Sequence, residues 1–112
     1  MSRRRQIRPE AIIELREAAE WYEDEREGLG AELVEEFERT LDGALRDLEI
    51  GAVVARTAGG KPVRRFRLKR FYRYAIYVVM FEDLPTVVAF ERASRRPEYW
   101  LHRAEKGGPP KG

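Results

Sequence analysis

The chain has 112 residues, of which 43% are hydrophobic, and this predicts one globular domain over residues 1–104 built on a single core. It contains no cysteine, which excludes disulfides, thiol nucleophiles and cysteine-bearing zinc sites. The net charge is +2. The chain has no leader-like apolar run and no stretch of about 18 apolar residues, which predicts a soluble, cytoplasmic protein with no membrane contact.

The first half of the chain predicts two helices. Ile7 lies in a short basic segment compatible with an edge strand, and Pro9 suits the first position of a helix because it has no amide hydrogen. Apolar residues then recur at helical spacing as far as Tyr22, Gly28-Leu29-Gly30 interrupts them, and they resume until Gly51. We therefore predict an antiparallel αα-hairpin whose residues 10–49 carry a net charge of −11.

The second half changes to the period of two that is typical of strands. Residues 51–62 are interpreted as a loop. From Val63, Phe66 and Leu68 fall on one face, and the opposite face carries the basic row Arg65, Arg67 and Lys69. The next strand, residues 74–81, is apolar on both faces, which is typical of the centre of a sheet.

The remaining elements complete a small α+β fold. Residues 82–85 are predicted to form a hairpin turn, residues 86–90 a third strand and residues 97–103 a short helix. The order (β)ααβββ predicts a helical hairpin packed on one face of a mainly antiparallel sheet, leaving a basic, partly aromatic face open. Residues 50–81 carry a net charge of +8 with no acid, and residues 105–112 are expected to be disordered.

Three stretches together resemble the RelE/ParE family of toxins from bacterial type II toxin–antitoxin, or plasmid-stabilisation, modules. They are PEAIIELREAAEWYEDEREGLGAELVEEFERTL (residues 9–41), VRRFRLKRFYRYAIYVV (63–79) and AFERASRRPEYW (89–100). The first is similar to the family's helical hairpin, the second to its arginine-rich and central strands, and the third to its last strand and R-x-P-x-Y-W ending. The acidic hairpin and this ending look more like the ParE side of the family.

The resemblance implies a toxin that a cognate antitoxin neutralises in a hetero-oligomer. ParE-like members inhibit DNA gyrase and are not hydrolases, whereas RelE-like members cleave mRNA at the ribosome. The residues that match RelE-like catalytic positions are Arg65, Arg67, Arg73, Arg95 and Tyr99. The family often has histidine where this chain has Arg92.

These residues supply positive charge but little capacity to move a proton. Arginine, with a pKa above about 12, is a poor proton shuttle at neutral pH. The one histidine, His102, follows the motif and is expected to be exposed. We therefore expect a binding protein rather than a nuclease, although the enzyme reading stays open.

The same basic row is also the predicted binding surface. Three open hypotheses are ParE-like inhibition of gyrase, RelE-like cleavage of mRNA, and a degenerate member that binds antitoxin without being toxic.

No metal or other cofactor is expected, because the basic half lacks clustered metal ligands. Trp100 is expected to dock at the edge of the core, and Trp21 at its margin. The residues predicted to contact an acidic antitoxin or the target are Trp21, Arg64, Arg65, Arg67, Lys69, Arg73, Arg92 and Arg95.

Overall fold

The computed structural model describes residues 4–105 and has an α+β architecture. The predicted α+β fold with an N-terminal helical hairpin on a mainly antiparallel sheet is confirmed. Its elements in chain order are β1 (Gln6–Ile7), α1 (Pro9–Glu25), α2 (Leu29–Arg46), a 3₁₀ turn (Leu48–Ile50), β2 (Ala52–Arg56), β3 (Pro62–Arg67), β4 (Tyr74–Phe81), β5 (Leu84–Arg92), a second 3₁₀ turn (Pro97–Tyr99) and α3 (His102–Glu105).

The five strands form one sheet in the order β1-β5-β4-β3-β2. Strands β2 to β5 pair antiparallel, and β1 lies parallel to β5 with Gln6 opposite Thr86. The predicted edge strand at Ile7 is therefore confirmed. The central position predicted for β4 from its two apolar faces is confirmed as well, because β3 and β5 flank it.

A tight turn joins the two helices, and glycine is required at two of its positions. Gly28 adopts φ 91°, the left-handed region that side chains with a Cβ rarely enter. A Cβ on Gly30 would lie 2.6 Å from the carbonyl oxygen of Ala19, so α2 can pass close to α1 only with glycine there. Glu23 completes the turn, since its carboxylate accepts hydrogen bonds from the amides of Gly28 and Gly30, each at 2.9 Å.

The helices cover one face of the sheet with a closed apolar core. Phe66 and Leu68 face the helices as their spacing predicted, and Phe37 of α2 meets Phe90 of β5 edge to face at 5.3 Å. Tyr22 fits the same layer, with its ring 4.9 Å from that of Phe71. This packing fixes the orientation of α1 and leaves the neighbouring Trp21 half-exposed, as predicted.

The other face of the sheet is only partly open, so the prediction of an open face is wrong for one half of it. The C-terminal segment, residues 97–105, folds back over this face and buries Trp100 completely. The indole of Trp100 packs on Tyr77 at 4.3 Å between ring centroids. The docking predicted for Trp100 is confirmed, but it reaches the centre of a second core rather than an edge.

Residues 51–62 contain a strand, so the predicted loop is wrong for Ala52–Arg56. Small and β-branched residues let this segment pair with β3, and the pairing shifts register between Val53 and Ala55. The neighbouring glycines had suggested a loop. The α-helix before it also ends earlier than predicted, at Arg46, and continues as the 3₁₀ turn.

Two other boundaries differ from the prediction. The β4–β5 turn consists of Glu82 and Asp83 alone, with Glu82 at φ 55°, so the strand begins at Leu84. Glu105 is the last residue of α3, and its carboxylate accepts a hydrogen bond from the amide of Ala58 at 2.9 Å. The rest of the tail predicted to be disordered lies outside the described residues. Among residues 4–105, no helix has the length and apolar character needed to cross a bilayer.

Candidate functional site

Arg65 and Arg67 lie on β3 with their side chains on the face that Trp100 covers. Arg65 is paired with Tyr77 and Arg67 with Ala75, and side chains of paired residues share a face. Burial raises the pKa of the Tyr77 hydroxyl, while the charges of Arg65 and Arg67 act in the opposite direction. The two arginines thus border the second core.

Two other members of the predicted binding set have different positions. Lys69 follows the end of β3, so the predicted row of three outward bases on the strand is wrong in its last member. Arg64 faces the helix side opposite Val78, and its Nη1 donates a hydrogen bond of 2.9 Å to the carbonyl oxygen of Gly51. That bond holds the turn before β2, so Arg64 has a structural role in the isolated chain.

A cavity of about 410 Å³ at the end of the sheet brings together the more exposed arginines. Trp21 is 50% exposed and Tyr72 59% exposed, so both rings offer accessible faces. We call the five residues of this cavity that carry its charge and its accessible rings the arginine–aromatic surface: Trp21, Arg67, Tyr72, Arg73 and Arg92.

A second, larger cavity of about 720 Å³ adjoins the first, with Trp21 and Arg92 in the walls of both. Its wall holds Arg95, whose guanidinium lies 4.2 Å from the centre of the Tyr99 ring and 3.2 Å from Glu91 Oε1. The hydrogen bond and charge of Glu91 raise the pKa of Arg95. Arg95 is therefore a fixed cation held between a ring and a carboxylate.

Glu14 of α1 also lines this larger cavity, which we call the Glu14 cavity. Its Oε1 accepts hydrogen bonds of 3.0 Å from the amide of Phe90 and from Nη1 of Arg103. Burial, and next a hydrogen bond with the Glu91 side chain, raise the pKa of Glu14 to about 7, although Arg103 and the Phe90 amide pull it down. A carboxyl group that titrates near neutrality can give or take a proton.

The positions that match a RelE-like catalytic set are spread over adjoining sites. Arg95 and Tyr99 line the Glu14 cavity, whereas Arg67 and Arg73 line the cavity of the arginine–aromatic surface. Arg65 and Arg67 together line a third cavity, a groove of about 490 Å³ between α2 and β3. The structure therefore brings together three pairs from the set of five, with Arg67 common to two of them.

Sequence reasoning missed Glu14 because nothing in a helix of alternating acids distinguishes it. Glu14, Glu17 and Glu20 have similar neighbours in sequence, but only Glu14 points at the amide of Phe90, which is 76 residues away. One feature of the sequence could have identified Glu14. Glu14 is three residues after Ala11 and four before Ala18, both of them buried, so it lies on the inner stripe of the helix.

The remaining sequence predictions concern histidine and metals. His102 is exposed, as predicted, and begins α3. Over residues 4–105 no three histidine, aspartate or glutamate side chains are grouped in a way that could hold a metal ion. The polar side chains that line the two cavities are those of arginine, tyrosine, tryptophan and Ser94, together with the carboxyl groups of Glu14, Glu17 and Glu91.

No protein-family profile matches the chain, and comparisons with curated proteins and with solved structures find no similar protein.

Proposed function

We propose that the protein is the toxin of a type II toxin–antitoxin module of the RelE/ParE kind, neutralised by a cognate antitoxin and directed in the cytoplasm at DNA gyrase. The observation that carries this proposal is the arginine–aromatic surface. Arginine, tryptophan and tyrosine are the residue types that dominate binding energy at protein interfaces. Here they are exposed together at one end of a rigid sheet, which suits a binding protein.

The charge of this surface defines its partner. The lining of its cavity contains Arg67, Arg73 and Arg92 and, among the residues described there, no carboxylate. A complementary partner is acidic, and the antitoxin implied by the family resemblance would supply an acidic or amphipathic segment. Charges of this kind accelerate association and fix the register of a bound segment more than they add affinity.

The choice of gyrase comes from the resemblance to the ParE side of the family, and the chemistry of the same surface supports a binding protein over a nuclease. Arginine is a fixed cation in proteins, so a residue of this type can bind an anion but cannot relay a proton. A surface built from such residues suits inhibition by binding. We therefore expect the purified protein to inhibit supercoiling by gyrase and to leave mRNA on translating ribosomes intact.

Cleavage of mRNA remains a second candidate function, and the Glu14 cavity favours it. Glu14, Arg95 and Tyr99 line that cavity together, which combines a group titrating near neutrality with a fixed cation. Cleavage through a 2′-hydroxyl needs both kinds of group. If this function is correct, Glu14→Gln and Arg95→Ala should each abolish cleavage at the ribosomal A site.

The deciding experiment is a parallel assay of gyrase supercoiling and of translation with one preparation of protein. Arg73→Glu and Arg92→Glu should relieve inhibition of gyrase. Arg56→Glu is a matched control, because Arg56 is paired with Pro62, at the other end of β3 from Arg67. Untouched supercoiling together with arrested translation would overturn the gyrase proposal in favour of cleavage. Growth unaffected by expression without antitoxin would leave only the non-toxic antitoxin binder.

A further inference from the structure

The sheet has two edges, and they differ in how well they are protected against pairing with another strand. At one edge β1 is only two residues long, and Pro9, which has no amide hydrogen, follows it after Arg8. Short edge strands and proline are features with which proteins block such pairing. The other edge is formed by β2, whose five residues include no proline and carry no charge before Arg56.

The outer side of β2 presents backbone groups that no other strand uses. β2 is the last strand of the sheet, with β3 as its neighbour on one side. Within residues 4–105, no backbone hydrogen bond joins Ala52–Arg56 to a segment other than β3. The amide and carbonyl groups of β2 that point away from β3 can therefore pair with an added strand.

Two large apolar side chains lie beside this edge and are accessible to solvent. Ile50 is 69% exposed, more than any other large apolar residue that the structure describes, and Val53 is 42% exposed. Val53 is paired with Arg64, and Ile50 borders the groove between α2 and β3, so both lie on the helix side of the sheet. Exposed apolar side chains next to an unpaired strand edge mark a surface that another strand can cover.

The charges at the two ends of β2 indicate which strand this is. Glu49 precedes Val53 by four residues, Arg56 follows it by three, and both charged side chains are exposed. In a second copy related by a twofold axis near Val53, β2 runs antiparallel to the first, so Glu49 of each copy approaches Arg56 of the other. The same arrangement places Val53 of the two copies side by side at the axis and sets Ile50 of each against the other's strand. The edge is therefore complementary to itself.

We propose that the β2 edge is a dimerisation surface, at which a second copy of this chain adds its own β2 antiparallel and joins the two five-stranded sheets into one. The second copy is the favoured occupant because the acidic and basic ends of the edge match in that arrangement. The register shift between Val53 and Ala55 keeps the added ladder short. We therefore expect a weak dimer, with a dissociation constant of about 1–100 µM.

This dimer goes beyond the proposed function and does not rest on it. The residues that line the cavity of the arginine–aromatic surface include none of Ala52–Arg56. The measurements below use the isolated chain, without antitoxin, gyrase or ribosome. Failure of the gyrase assay would leave the dimer unaffected, and a monomeric chain would leave the gyrase proposal unaffected.

The first measurement is sedimentation velocity of the isolated chain between about 5 and 500 µM. We expect monomer to predominate at the lowest concentration and dimer at the highest, with no larger species, because the pairing occupies the β2 edge of both copies. Amide hydrogen exchange at the same two concentrations should slow at Ala52–Arg56 on dimerisation and stay unchanged in α1. A chain that remains monomeric at the highest concentration, or that forms larger species, would overturn the proposal.

Two charge variants test the twofold arrangement. Glu49→Arg makes both ends of the edge basic and Arg56→Glu makes both ends acidic, so each variant alone should dimerise at least about tenfold more weakly than the wild type. Mixed in equal amounts, the two should form a heterodimer about as tightly as the wild type dimerises, because each basic end then meets an acidic one. Single variants that dimerise normally, or folded variants that stay monomeric when mixed, would overturn the proposal.

A matched pair of lysine substitutions keeps the outcome decisive if a charge variant fails to fold. Val53→Lys places a charge on the exposed edge and should weaken dimerisation at least about tenfold. Ile13→Lys changes a side chain of similar exposure on α1, 51% against 42% for Val53, and should leave dimerisation unchanged. The reverse result would locate the contact between copies on the helical hairpin and overturn the proposal.

Discussion

The two faces of the sheet are built from the same strands, but they are covered by different parts of the chain and to different extents. The helix face is covered by α1 and α2 around Phe37 and Phe90, with a groove left between α2 and β3. The other face is closed where residues 97–105 cover it. The two arginine-lined cavities lie beside α1, since Trp21 of α1 and Tyr74 of the helix-face core line both of them. Alternation along a strand decides which side chains face together. Which of these side chains stay accessible to a partner depends on how much of each face is covered by other parts of the chain.

The largest loss of stability should come from removing Trp100, which covers the second face of the sheet. Trp100→Ala removes a fully buried indole and should lower the free energy of unfolding by about 3–5 kcal/mol. Phe37→Ala on the helix face should cost a similar amount, and Tyr99→Ala, whose ring is 61% exposed, much less. Urea denaturation of the three variants measures this. A Trp100→Ala protein as stable as Tyr99→Ala would mean that the second face has no core of its own.

A helix-face substitution of intermediate effect is Gly30→Ala. The new Cβ would meet the backbone oxygen of Ala19 at 2.6 Å, and separating the helices should cost about 2–3 kcal/mol. Gly43 is the matched control, because it lies in the same helix and a Cβ there has no neighbour within 4 Å. Gly43→Ala should stabilise the protein by about 0.5–1 kcal/mol. Thermal unfolding of both variants, with opposite signs expected, checks the close approach of the helices.

Glu14 joins the two faces and should make stability depend on pH. Its pKa is raised from 4.5 to about 7, so the unfolded chain loses the proton first as the pH rises. The stability of the wild type relative to Glu14→Gln is therefore highest below about pH 4.5 and falls between about pH 4.5 and about pH 7. We expect a relative loss of about 2 kcal/mol across this window. Parallel urea titrations at pH 4.5 and 7.5 measure it, and a constant difference would contradict the raised pKa.

The smallest expected difference in stability is between substitutions of Arg64, which makes a structural hydrogen bond, and of the exposed Arg73. Arg64→Ala removes the hydrogen bond to Gly51 and should cost about 1 kcal/mol. Arg73→Ala, at an exposed position of the arginine–aromatic surface, should change stability by less than about 0.5 kcal/mol. Chemical denaturation distinguishes them. Equal losses in the two variants would remove the distinction between the two arginines.

Much of the fold was predictable because its pattern is local. The inner stripe through Tyr22, the turn at Gly28 and the two apolar faces of β4 each depend on residues near in sequence, and each is confirmed. β2 escaped prediction because its strand character depends on pairing with β3 rather than on its own composition. The extent to which residues 97–105 cover the sheet was missed for a related reason. A Tyr-Trp pair near the chain end does not reveal how much of the sheet it will bury.

The candidate site was less predictable than the fold. Sequence reasoning found the arginines, but it placed Lys69 on a strand and gave Arg64 to a partner, because period and charge say nothing about a hydrogen bond to the Gly51 carbonyl oxygen. Glu14 was missed altogether. A pKa near 7 arises from burial and from Glu91 and Arg103, which are 77 and 89 residues away, and no local pattern contains them.

The parallel pairing of β1 with β5 has a consequence for synthesis of the chain. Gln6 leaves the ribosome 80 residues before its strand partner Thr86. The helical hairpin can form from neighbouring residues, whereas β1 must wait for nearly the whole domain and close a long loop. We expect the two-residue pairing of β1 with β5 to be the last part of the sheet to form. A fusion that obstructs the start of the chain should therefore fray this edge and leave the rest of the fold intact.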